Sequence, residues 1–240
     1  MLTAIALIPS APVMVPELAN GAAAELTELR AAVFAAAREL PDRWIAVGVG
    51  STDEVIGSGA GGTFGGYGVD VRVGLAGHEL ADVTRLPLCA LIAGWVRGQV
   101  SPGARAEVRV YSDEHGVDAA LARGRALRAE IEGAADAIGV LIVADGANTL
   151  TPPAPGGYDP ASPVVQKGLD DALGAGDVGA LAELPAEIVG RVAYQVLAGL
   201  AEPAPSAARE LFRGAPYGVG YFVGVWYPAD GTAATGELIE

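Results

Sequence analysis

Histidine, cysteine and lysine are almost missing from this chain of 240 residues, which holds two histidines (His78, His115), one cysteine (Cys89) and one lysine (Lys167). A single cysteine excludes a disulfide framework. So few thiols and imidazoles also exclude zinc fingers, iron–sulfur clusters and three-histidine metal centres. Cys89 lies in the apolar run Leu86 to Leu91 and reads as a small buried side chain, not a nucleophile. Positive charge is scarce too, with 15 basic residues against 29 acidic ones and a net charge of -14. Such a field repels phosphate backbones and anionic lipid, so neither nucleic acid nor a membrane surface is expected as a partner. No apolar run approaches the ~20 residues that cross a bilayer. Residues 1–8 carry no basic region ahead of Pro9, so no signal peptide is expected and the protein is placed in the cytoplasm.

What the chain has in quantity is apolar side chain, 51% of all residues, which excludes disorder and provides for a sizeable core. Short β-rich apolar runs alternate with alanine- and leucine-rich segments at helical spacing. That pattern predicts one α/β domain over 1–240, with a mostly parallel central sheet and helices on both faces. Strands are expected near 3–8, 44–50, 68–73, 106–111, 138–144 and 219–226, and helices near 17–39, 85–98, 117–133, 163–174 and 185–200. The run Trp44 to Gly50 is apolar almost throughout, as a strand covered on both faces should be. The tail after 228 is polar and expected to fray. In such sheets ligands bind beyond the carboxyl ends of the strands, which directs attention to the loops after 8, 50 and 144.

Gly57 to Gly62 satisfies G-x-G-x-x-G, but the glycines lead into Thr63-Phe64-Gly65-Gly66-Tyr67-Gly68 and then a strand, not a helix N-terminus. They predict a mobile surface loop, not a dinucleotide site. His78 stands beside Glu79 and Asp82, where a metal or an acid/base pair is conceivable, although a surface histidine is the plainer reading. His115, after Asp113 and Glu114, reads as a solvated cap before a helix. The least ordinary stretch runs from Val140 to Pro160. A buried strand delivers Asp145 and Asn148 to its carboxyl end, and a loop stiffened by Pro152, Pro153 and Pro155 follows. These residues either form a site or bond turn amides.

Three segments carry a resemblance. Leu141 to Pro160, with Leu150-Thr151-Pro152 and Gly157-Tyr158-Asp159-Pro160, resembles the strand and loop of the B-subunit family of class III extradiol ring-cleavage dioxygenases, including its Memo-like branch. Pro9-Ser10-Ala11-Pro12-Val13-Met14-Val15-Pro16-Glu17 is similar to that family's opening motif, and Pro216-Tyr217-Gly218-Val219-Gly220-Tyr221 to its closing one. The resemblance spans nearly the whole chain and implies that family's α/β fold.

It also implies where iron chemistry would sit, and there the chain departs. The family's first ligand histidine falls at Ser10, the histidine after its second strand near Gly50-Ser51, and its acid/base histidine at Asn148; Glu187 is the one carboxylate where a third ligand falls. Non-haem iron(II) calls for two imidazoles and a carboxylate, which serine hydroxyls do not replace. Asn148 cannot shuttle a proton. The leading expectation is a retained cleft without an iron centre, lined by Ser10, Ser51, Thr52, Asp53, Asp145, Asn148 and Thr149, that binds a small polar or aromatic molecule or a protein partner. The alternative is an active iron(II) ring-cleavage dioxygenase or related oxidoreductase, with His78, Glu187, Asp145 or Asp53 as replacement ligands. A third reading, hydrolysis with Ser10 or Ser51 as nucleophile, lacks an adjacent base and a G-x-S-x-G elbow. Tyr217, Tyr221, Trp226 and Tyr227 leave open an aromatic homodimer interface, or equally a packed strand.

Overall fold

A computed structural model describes residues 1–19, 24–77 and 83–229. Its strands are β1 (Leu2–Ile8), β2 (Arg43–Gly50), β3 (Glu54–Ile56), β4 (Gly61–Thr63), β5 (Arg72–Gly74), β6 (Arg105–Ser112), β7 (Ile138–Val143), β8 (Pro205–Gly214) and β9 (Tyr221–Pro228). The helices are α1 (Pro16–Ala19), α2 (Thr27–Ala37), α3 (Leu88–Val100), α4 (Val117–Glu132), α5 (Ser162–Ala175), α6 (Val178–Ala182) and α7 (Arg191–Ala201). Seven strands form a mostly parallel central sheet in the order β3-β6-β2-β7-β1-β9-β8. β6, β2, β7 and β1 are mutually parallel, whereas β3 pairs antiparallel with β6, and β9 with both β1 and β8.

Alternation along each strand divides the core into two layers. In β1, Ala4, Ala6 and Ile8 face a cluster that contains Leu29 and Val33 of α2 and Leu91 and Ile92 of α3. Leu2, Ile5 and Leu7 face the opposite cluster, with Leu127 of α4, Leu169 and Leu173 of α5 and Leu197 of α7. The helix after β1 thus lies on one face of the sheet and the helices after β7 on the other. Since β1 and β7 are neighbours, the chain leaves them in opposite directions and opens a crevice between their carboxyl ends, the ligand position of doubly wound sheets.

Several expectations change. The helix expected over 17–39 is two: α1 ends at Ala19 and α2 starts at Thr27. The strand expected at 68–73 is the short β5, paired only with β4 outside the main sheet. The glycine-rich segment 57–68 is no free loop. It supplies β4 and a 3-10 turn over Phe64–Tyr67, anchored by the fully buried Phe64. The helix expected from 185 starts at Arg191, because 185–190 are drawn against the loop after β7. β3 and β8 were unforeseen: both are edge strands with largely exposed side chains, which lack a continuous apolar run. Of the tail, residues 230–240 lie outside the described residues.

Candidate functional site

β1 and β7 are in register up to Ile8 opposite Val143, and the Ala144 amide continues the ladder by donating to the Ile8 carbonyl at 3.0 Å. There the backbone ladder ends and a side chain takes over. The Ser10 amide donates to Asp145 Oδ1 at 2.7 Å, across the crevice between the two strand ends. The backbone on either side of Asp145 is also fixed. Tyr194 donates its buried hydroxyl to the Ala144 carbonyl at 2.9 Å, and the Gly190 amide donates to the Asp145 carbonyl at 2.8 Å.

Burial pushes the Asp145 carboxyl up from 3.8 to about 7, against the opposing pull of the Ser10 amide. No cation is among the causes of this shift, in contrast to Asp53, Asp171 and Glu202, each of which has an arginine partner. Tyr221 lies close by, its phenol pushed up by burial first, then by the Asp145 charge and by Tyr217. Tyr217 holds a left-handed backbone (φ 62°) and donates its hydroxyl to Glu25 Oε2 at 2.9 Å. A carboxyl that titrates near neutrality can accept or donate a proton where a ligand would lie.

Behind Asp145 the three resembling segments meet. The Gly146 amide donates to the Gly220 carbonyl and the Gly220 amide to the Ala147 carbonyl, both at 2.8 Å, and the Leu150 amide donates to the Gly218 carbonyl. Gln166, a buried residue of α5 that the sequence reading passed over, locks this joint. Its Oε1 accepts from the Ala147 amide and its Nε2 donates to Asp170 Oδ1, each at 2.8 Å. A Cβ at either Gly146 or Gly220 would lie 2.1 Å from the Gln166 carboxamide, so a side chain at either position would displace Gln166 from its hydrogen bonds.

The other expected site residues separate. Asn148 is half-buried over the loop, its carbonyl accepting from the Gly156 amide, and its carboxamide has no hydrogen-bond partner among the described residues. Thr149 is committed to the loop: its hydroxyl meets Ser162 Oγ at 2.5 Å and its carbonyl accepts from the Asp159 amide. Asp53 turns away toward α4. It accepts from the Ser112 amide at 2.8 Å, meets His115 Nε2 at 2.6 Å and takes two bonds from the Arg123 guanidinium. Burial opposes its charge, yet these partners outweigh that and hold it down at about 2. His115 is accordingly no solvated cap; it is mostly buried in this cluster, and the N-cap of α4 is Gly116. No local pattern betrays the cluster, since Arg123 is 70 residues from Asp53.

Ser51 and Thr52 are exposed at the end of β2. Glu187 is exposed on the segment whose Ile188 bridges to Ala147, and it has no ion pair among the described residues. His78 lies outside the described residues. Cys89 is buried as expected, its thiol pushed up to about 12 by burial.

The donor chemistry at the family's ligand positions does not fit iron(II). Ser10 and Ser51 offer neutral hydroxyls, and Asp145 Oδ1 already accepts an N–H. Among the described residues no three His, Cys, Asp or Glu side chains converge. No helix among them is long and apolar enough to cross a membrane.

No family model and no curated protein matches the sequence. Among solved structures, the chain is similar to the crystal structure of the uncharacterized protein JW3007 from Escherichia coli K12, at 10% identity and a TM-score of 0.56. The match covers 94% of this chain and 99% of that one, and at this identity the likeness shows the α/β fold alone.

Proposed function

We propose that this chain is a small-molecule-binding protein built on an extradiol-dioxygenase-like scaffold, with a polar ligand held in the crevice between β1 and β7 and no iron centre. The observation that supports this reading is Asp145 itself. Its carboxyl sits where two strands diverge, bonded to the Ser10 amide at 2.7 Å and pushed up to about 7 by burial, with no cation among its partners. A ligand N–H or hydroxyl that replaces water there meets an acceptor whose charge is poorly solvated, so the bond is strong for its size. Asn148, with an uncommitted carboxamide, and Ser10 supply further polar contacts.

The test joins metal analysis to a ligand screen. Protein purified without chelator is expected to contain far less than one iron per chain. In two-dimensional amide NMR, hits from a panel of small polar molecules are expected to move the Ser10, Gly146 and Ala147 resonances, and Asp145→Asn to abolish those shifts. Near-stoichiometric iron, lost on mutation of Asp145, would instead establish the oxidoreductase reading.

A further inference from the structure

The loop after β2 and the segment leading into α3 line a half-open cavity of about 910 Å³, with Ser51, Glu54, Tyr67, Arg85, Leu86 and Leu88 among its walls. That is the size of a small-molecule site, roughly 300–1,000 Å³. Its apolar wall is fixed from below. Leu86 and Leu91 close over Gly62, where a Cβ would come within 3 Å of both, and the buried Phe64 holds the Tyr67 ring at 6.0 Å between centroids. Tyr67 presents its ring half-exposed, and Arg85 lines the same cavity.

Arg85 is the cation of this cavity. Ten of the basic residues are in ion pairs among the described residues: Arg43, Arg72, Arg105, Arg109, Arg123, Arg125, Arg128, Lys167, Arg209 and Arg213. Arg97 and Arg191 donate to backbone carbonyls, Arg30 donates to Thr27 Oγ1, and Arg38, like Arg85, is in no ion pair among the described residues. Arg85, at the cavity wall, has no carboxylate within ion-pair distance among the described residues, although Glu54 lines the same cavity. An exposed guanidinium that lines one cavity with an aromatic ring and leucines suits a carboxylate with an apolar body, which it takes in two parallel hydrogen bonds. Glu54 then sets a limit, because a second carboxylate on the ligand would meet its charge.

We propose that this cavity binds a small apolar monocarboxylate, with the carboxylate on Arg85, the apolar body against Tyr67 and the leucines, and Glu54 excluding dicarboxylates. The inference concerns a cavity separate from the Asp145 crevice and does not depend on the ligand-binding reading proposed for that crevice.

Isothermal titration calorimetry on the full chain tests it with hexanoate and phenylacetate, and with hexan-1-ol, hexylamine and adipate as controls. At least one monocarboxylate is expected to bind, with the alcohol, the amine and adipate each weaker by tenfold or more. Arg85→Gln is expected to weaken the monocarboxylate at least tenfold and Arg85→Lys less, while Glu54→Gln strengthens adipate. Asp145→Asn is expected to leave monocarboxylate binding unchanged. Equal binding of the alcohol or the amine, an unchanged affinity in Arg85→Gln, or no binding of either monocarboxylate overturns the inference. A loss on Asp145→Asn that spares Arg85→Gln overturns it as well, but supports the Asp145-centred reading. Circular dichroism of each variant separates lost binding from lost fold, and since Arg85 is exposed its replacement should not disturb the core.

Discussion

Asp145→Asn should make the protein more stable in base and leave it unchanged in acid. The carboxyl binds its proton up to about pH 7 in the fold but only up to its ordinary value of 3.8 when unfolded. Between those values the folded state holds more protons, so stability falls as pH rises, and the loss is complete once pH passes the folded value. A displacement of this size corresponds to ~4 kcal/mol. Asp145 is half-buried, not sealed, which puts the expectation at ~2–4 kcal/mol. Asparagine avoids this cost, because it carries no charge and its carbonyl can still accept from the Ser10 amide. Guanidinium unfolding of both proteins from about pH 4.5 to pH 8.5 measures the difference directly, and other titrating groups cancel in it. The two should agree within ~1 kcal/mol at the acid end, and the variant should gain ~2–4 kcal/mol at the basic end, or ~5–15 °C in Tm for a chain of this length. A difference that does not vary with pH, or a variant less stable at pH 8.5, would refute the assignment of Asp145 as a carboxyl ionised against its surroundings.

The joint at Gln166 predicts non-additivity. Gly146→Ala should cost ~2–4 kcal/mol, from a Cβ 2.1 Å from a carboxamide that Gly220 blocks on its far side. In a Gln166→Ala background the same change should cost under ~1 kcal/mol, and equal costs in chemical denaturation would rule out the clash. Asp53 should behave oppositely to Asp145. Held down at about 2 by Ser112, Arg123 and His115 against its burial, it adds stability above pH 3.8 that fades as pH falls toward 2. Because its side chain is 42% exposed, Asp53→Asn should cost only ~1 kcal/mol at pH 7 and nothing at about pH 2, as read by thermal unfolding. Cys89, buried with its thiol pushed up to about 12, should resist Ellman's reagent in the native protein and react fully in denaturant. Rapid labelling of the native chain would contradict that burial.

What could be read ahead follows from the range of the interactions. The apolar runs of β1, β2 and β7, and the emergence of Asp145 at a strand end, are local patterns, and they appear in the fold close to where periodicity put them. Ser10 was legible as a position but not as a group, since its backbone amide, not its hydroxyl, reaches Asp145. Asp53 looked like a cleft residue because it follows β2 directly; only the return of the chain at Ser112 and Arg123 turns it to the other side. Gln166 was invisible for the same reason. A polar residue within a helix is ordinary until Gly146 and Gly220, from two distant segments, close around it. The break between α1 and α2 was hidden by helix-forming residues on both sides of it.

The two aspartates are perturbed in opposite directions. Asp53 has a bound amide, a guanidinium and an imidazole, and its charge is better off in the fold than in water; such a carboxylate is accounted for by the structure it ties together. Asp145 has one amide for a partner and a charge that the fold disfavours. Its hydrogen bond could be made as well by asparagine, without the pH-dependent cost, so architecture alone supplies no reason for a carboxyl there. On the proposed ligand-binding reading, a bound molecule compensates this cost. A cationic or hydrogen-bond-donating molecule would draw the carboxyl back toward its ordinary range and recover the stability lost to ionisation. Binding to Asp145 should for that reason release a proton near pH 6 in the absence of any other titrating contact, and calorimetry in buffers of different ionisation enthalpy would detect it. A true ligand of this crevice that leaves the proton count unchanged when bound at that pH would show that it does not engage Asp145.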